Sequence, residues 1–167
     1  MADPSSPSRV GGIIDGTNLD GPHGIVYEAS GDLLFVACKD GDALTVLSVA
    51  DDAASPVVLG SVSSTSSMDG ARYVASFPAA GLVFVTGTDS DSVCVVDVSD
   101  PSTPTVKDVL VDSTYMDGAH DIAWDPAAKL LFVNGGFSDS LAVMSVAGTV
   151  AKHLAPTPLP TSWTYGK

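Results

Sequence analysis

Residues 69–104 read DGARYVASFPAAGLVFVTGTDSDSVCVVDVSDPSTP, and this stretch decides the fold because most of its pattern occurs three times in the chain. Asp20-Gly21, Asp69-Gly70 and Asp117-Gly118 open the three copies, spaced 49 and 48 residues apart. Phe35, Phe84 and Phe132 coincide, each followed by a valine: Val36, Val85 and Val133. Leu44, Val93 and Leu141 then coincide, followed by Val46, Val95 and Val143, and by Val49, Val98 and Val146. A fixed period of this length is the mark of a repeat architecture and has to be read before any local propensity.

Within each copy the apolar residues alternate or run in short stretches bounded by Gly, Asp, Ser and Pro, which is the pattern of strands. First strands are expected at 24–27, 73–77 and 121–124, and second strands at 33–38, 82–86 and 130–134. A hairpin turn rich in Asp, Ser and Gly leads to third strands at 44–49, 93–98 and 141–146. Fourth strands follow at 57–62 and 106–111, with a shortened one at 150–154. No helix-length amphipathic pattern occurs.

Four short strands per copy describe a blade of a β-propeller, whose faces stay apolar for the neighbours on either side. Pro56 and Pro104 lie thirteen residues before the next Asp-Gly, and so does Pro7. The chain is therefore expected to open on a lone fourth strand at 10–14. The fold class is all-β: three four-stranded antiparallel blades plus one extra N-terminal strand. The expected boundaries are extra strand 1–19, blades 20–68, 69–116 and 117–154, and a tail 155–167 with three prolines. Propellers typically close with about four to eight blades, so three make a partial propeller or half of a dimeric ring. A β-sandwich is the competing all-β arrangement.

The phrase Val95-Val96-Asp97-Val98-Ser99-Asp100-Pro101-Ser102-Thr103-Pro104 resembles the LVIVD repeat, and residues 44–56 resemble a degraded copy of it. Asp117-Gly118-Ala119-His120-Asp121-Ile122-Ala123-Trp124-Asp125-Pro126, continued by Leu131-Phe132-Val133-Asn134, resembles the YVTN type of repeat. Both resemblances imply a propeller. Neither implies one activity, since such repeats occur in surface proteins as well as in enzymes.

Twenty acidic against seven basic residues give a formal charge of −13, which repels phosphate backbones and anionic membrane surfaces. Nucleic acid and membrane are thus not expected partners. No run approaches a membrane span, and the first residues show no basic n-region or apolar h-region of a secretory signal. The compartment is left open. Cys38 and Cys94 fall at different phases of the repeat and read as buried small apolar residues, with a disulfide in an oxidising compartment as the alternative.

His23, Arg72 and His120 share one phase, three residues after Asp20, Asp69 and Asp117. If the first strand is innermost, these side chains gather at one mouth of a channel. There they could bind a carboxylate or phosphate, or His23 and His120 could ligate a divalent metal with help from a second copy. In a purely structural role they would hydrogen-bond the adjacent Asp20, Asp69 and Asp117 and tie the blades together. Asp89-Ser90-Asp91-Ser92 and Asp40-Gly41-Asp42 offer closely spaced oxygens for Ca²⁺, though hairpin turns use the same residues. His153 lies outside the repeat phase and is expected on a surface or edge strand.

The leading expectation is a non-catalytic propeller module acting as a scaffold for a protein or small ligand, with a tendency to self-association. The alternative is a channel-centred enzyme, a lactonase-like metal hydrolase or metal oxidoreductase.

Overall fold

The structure, a computed structural model, describes residues 8–147 and 150–153. Blade 1 consists of β1 (Pro22–Glu28), β2 (Leu33–Cys38), β3 (Ala43–Ser48) and β4 (Val57–Ser63). Blade 2 consists of β5 (Ala71–Phe77), β6 (Leu82–Gly87), β7 (Ser92–Asp97) and β8 (Thr105–Val111). Blade 3 consists of β9 (Ala119–Asp125), β10 (Leu130–Gly135), β11 (Ser140–Ala147) and the short β12 (Val150–His153). Each is a four-stranded antiparallel sheet whose strands are hydrogen-bonded in chain order.

The periodicity extends to backbone conformation. Gly21, Gly70 and Gly118 all have φ between 61° and 64°, the left-handed region that glycine reaches without a Cβ penalty. A second left-handed position falls on Asp32, Gly81 and Lys129, and its carbonyl accepts the N–H of Val49, Val98 and Val146 respectively. A third falls on Asp42, Asp91 and Asp139, in the hairpin between the second and third strands. Aspartate tolerates this conformation better than most side chains, which explains its recurrence there. The turn after β5 differs from the other two by a single 3₁₀ turn, Pro78–Ala80, closed by Gly81.

Alternation sends successive side chains to opposite faces, so each blade has two apolar faces. Phe35, Leu44 and Val46 of blade 1 meet Val83, Val85, Cys94 and Val96 of blade 2, with Met68 in the same joint. Phe84, Val93 and Val95 of blade 2 meet Leu131, Val133, Ala142 and Met144 of blade 3 around Met116. Both methionines are fully buried.

The extra N-terminal strand expected at 10–14 does not form; residues 8–15 carry no strand. A strand needs a ladder partner, and no third strand among the described residues receives this one. The segment lies instead across the outer face of blade 1. Gly12 N–H donates to the Ala54 carbonyl at 3.0 Å, and Ile13 and Leu19 pack against Val36, Cys38, Ala43 and Leu47. Pro7 and the tail 155–167 lie outside the described residues. His153 ends β12, a strand at the edge of its sheet.

Candidate functional site

The first strands converge: β1 packs on β5 and β5 on β9, which places all three on the inner side of the array. At Gly24 the approach is so close that a Cβ would stand 2.6 Å from the Arg72 carbonyl oxygen. His23, Arg72 and His120 each occupy the second position of their strand, as the repeat phase requires.

Arg72 and His120 meet across the joint between blades 2 and 3. Arg72 Nη1 lies 2.8 Å from His120 Nε2. A guanidinium can only donate, so Nε2 is the acceptor and a neutral His120 carries its proton on Nδ1. The Tyr73 ring sits 5.5 Å from the imidazole, tilted by 44°. Arg72 Nε is buried and has no hydrogen-bond acceptor among the described residues. His23 is exposed at the start of β1 and is not brought to the other two by any described hydrogen bond.

Asp20, Asp69 and Asp117 act through their backbones. Their carbonyls accept the N–H of Gly41, Asp89 and Phe137 at 3.3, 3.0 and 3.0 Å, locking each Asp-Gly to the hairpin of its own blade. None of the three carboxylates takes a hydrogen bond from a described residue, so the joint is tied by Arg72 and His120 and not through the aspartates. Among the described residues no group of three or more His, Cys, Asp or Glu is gathered that could hold a metal. A metal on His23 and His120 would need ligands from elsewhere. It would also have to compete with Arg72 for the lone pair on His120 Nε2.

The hairpin aspartates proved to be joints. Asp42 Oδ1 accepts the N–H of Gly70 at 2.9 Å, and Asp91 Oδ1 accepts that of Gly118 at 3.0 Å, each reaching from one blade to the next. Their oxygens are thus turned to backbone donors. The signal was present in the sequence, since Asp42, Asp91 and Asp139 keep the spacings of the Asp-Gly pairs. Thr88 Oγ1 adds a bond to the Ala119 carbonyl at 2.7 Å across the second joint.

Both cysteines are free and buried. Burial pushes the Cys94 thiol up to about 11 and raises that of Cys38 as well, so neither is a poised nucleophile. In contrast, Asp97 is lowered to about 2, first by the Lys107 ammonium at 2.7 Å and then by the Ser99 N–H. This pair lies on the outer strands of blade 2, away from the inner strands.

No family model and no curated protein matches the sequence. Solved structures do. A protein from Lactobacillus plantarum is similar with a TM-score of 0.68 and 19% identity over 86% of this chain and 44% of that one. The periplasmic gluconolactonase of Pseudomonas aeruginosa is similar with a TM-score of 0.66 and 18% identity, over 80% of this chain and 40% of that one. The fold is that of a partial β-propeller. Sqt1 of Saccharomyces cerevisiae is similar too, with a TM-score of 0.65 and 10% identity over 83% of this chain and 35% of that one. The propeller chain thus spans less than half the length of each of these proteins, and identities this low carry the fold alone. Among the described residues no helix is long and apolar enough to cross a membrane.

Proposed function

We propose that this chain is a non-catalytic propeller module that presents its inner mouth and loops to a protein or small ligand, with Arg72 and His120 receiving an anionic group. The observation that carries this reading is the state of Arg72, whose Nη1 is held by His120 while Nε is buried without an acceptor. A guanidinium offers five N–H donors in a planar fork that matches carboxylate or phosphate. Leaving a buried donor unpaired costs about 1–3 kcal/mol, which an oxyanion would relieve once the guanidinium turns to meet it. Asp69 and Asp117 precede Arg72 and His120 by three residues and favour a ligand carrying N–H groups beside its anionic end, such as a peptide carboxylate.

Titration calorimetry at low salt with inorganic phosphate and with citrate tests this directly. The wild-type chain is expected to bind at least one of the two, and Arg72→Gln to weaken binding about tenfold or more, the loss of one charge-assisted contact. Absence of binding by the wild type, or equal binding by Arg72→Gln, sinks the reading.

The competing reading is a lactonase-like metal hydrolase or metal oxidoreductase using His23 and His120, and it draws on the gluconolactonase among the similar structures. It replaces the scaffold reading if the purified chain carries stoichiometric divalent metal and opens a sugar lactone, and loses both when His23 and His120 are changed to Ala.

A further inference from the structure

The two joints repeat one another. In each, the left-handed hairpin aspartate of one blade accepts the Gly N–H that opens the next, Asp42 for Gly70 and Asp91 for Gly118. In each, a phenylalanine and two aliphatic residues of the leading blade, Phe35, Leu44 and Val46 or Phe84, Val93 and Val95, pack with the following methionine, Met68 or Met116.

Blade 3 carries the leading half of a third such joint. Asp139 has φ 49°, against 46° and 50° for Asp42 and Asp91, and it is exposed with no N–H from a described residue on its carboxylate. Leu141 stands at the phase of Leu44 and Val93, both fully buried, yet is 59% exposed. A shallow concavity of about 260 Å³ opens beside it between Ile122, Phe132 and Asn134.

Blade 1 carries the following half. Gly21 has φ 61°, as Gly70 and Gly118 have 64° and 63°, but no described carboxylate meets its N–H. Leu19 precedes Asp20 as Met68 and Met116 precede Asp69 and Asp117.

The sheet edges are complementary as well. In blades 1 and 2 the first half of the third strand, 43–46 or 92–95, pairs with 60–63 or 108–111 of the fourth. In blade 3, β12 pairs only with 144–147, so the edge of 140–143 that faces away from β10 has no ladder partner among the described residues. Past β12 the sequence contains Pro156, Pro158 and Pro160, which lack the N–H a ladder needs. Residues 11–14 stand at the phase of 60–63. They keep that packing too: a Cβ on Gly11 would strike the Ala54 carbonyl as one on Gly60 would strike that of Ser102.

From these matched halves we infer that the open face of blade 3 binds the start of blade 1 in a second copy of this chain. Asp139 accepts the Gly21 N–H of the second copy, Phe132, Leu141 and Val143 take its Leu19, and its residues 11–14 add a strand beside 140–143. The same contact made twice closes under a two-fold axis, and two copies bring six blades, within the usual range of about four to eight. This interface is independent of the ligand proposed for Arg72.

Size-exclusion chromatography with light scattering on the full 167-residue chain tests it. The expected mass is twice the 16.9 kDa of one chain. Leu141→Arg, a change at an exposed side chain, and Asp139→Ala should each raise the dimer dissociation constant about tenfold or more. Val106→Arg, at an exposed position on the outer strand of blade 2, should leave the mass unchanged, with circular dichroism confirming that every variant is folded. A wild-type monomer at high concentration overturns the inference. So does a mass of three or more chains, or a dimer indifferent to both Leu141→Arg and Asp139→Ala.

Discussion

Blade 2 and blade 3 carry matching residues at matching phases, yet Phe84 is fully buried while Phe132 is only partly so, and Val93 is fully buried while its counterpart Leu141 is 59% exposed. The difference lies in what stands beside them. Among the described residues, blade 2 has a neighbouring blade on each face and blade 3 has one on a single face. In a repeat array, burial belongs to the joint between units and stability is a sum over such joints. A residue can therefore be placed by its period and still have its energetic weight set by whether the next unit is present.

The sharpest way to break this comparison is a paired truncation. Phe84→Ala should cost about 3–5 kcal/mol, the usual range for emptying a buried aromatic site. Phe132→Ala, in dilute protein, should cost only about 1–2 kcal/mol, since its ring is already partly in water. Urea denaturation of the two variants measures the gap. Equal costs would mean that the face of blade 3 is covered.

A second pair isolates the joint hydrogen bond. Asp91 and Asp139 share a left-handed backbone, φ 50° and 49°, so Ala at either position suffers the same strain. Only Asp91 holds a described N–H from the next blade, that of Gly118. Asp91→Ala is thus expected to destabilise by about 1–2 kcal/mol more than Asp139→Ala, the cost of orphaning one backbone donor. The same denaturation experiment in dilute protein, where the chain is monomeric, reads the difference, and no difference there would remove the aspartate from the account of the joint.

The smallest effect concerns a feature that only blade 2 has. Asp97 pairs with Lys107, whereas the same phase holds Ser48 in blade 1 and Ser145 in blade 3. Its folded pKa of about 2 lies below the ordinary carboxylate value near 3.8. The pair's stabilisation is therefore fully present above about pH 4 and fades as pH falls toward 2. Lys107→Met should return the Asp97 titration upward, visible by carboxyl NMR. Because solvent still reaches both side chains, the loss of stability at neutral pH should stay below about 1 kcal/mol.

Most of the blade architecture could be read from the Asp-Gly spacing and the apolar register, because strand period and turn chemistry are local properties of the chain. The strand expected at 10–14 does not form, for the converse reason: its residues have the right phase, but a strand exists only with its ladder partner. The Asp40–Asp42 and Asp89–Ser92 turns were legible as turns or cation loops and not as staples. Nothing local shows that Asp42 and Asp91 face the Gly N–H of another blade. Likewise the phase of Arg72 and His120 brought them to the same inner edge, while their direct contact depends on how closely β5 and β9 pack.

The two thiols give the molecule a pair of built-in clocks. Cys94 sits in the joint between blades 1 and 2, and Cys38 sits under the N-terminal segment on the outer face of blade 1. Only an exposed thiolate reacts readily, so alkylation of either sulfur counts how often its cover lifts. The Cys38 clock should run faster, because Ile13 and Leu19 can peel away without parting two blades. Its rate times the departure of a flap, whereas that of Cys94 times the opening of the array itself.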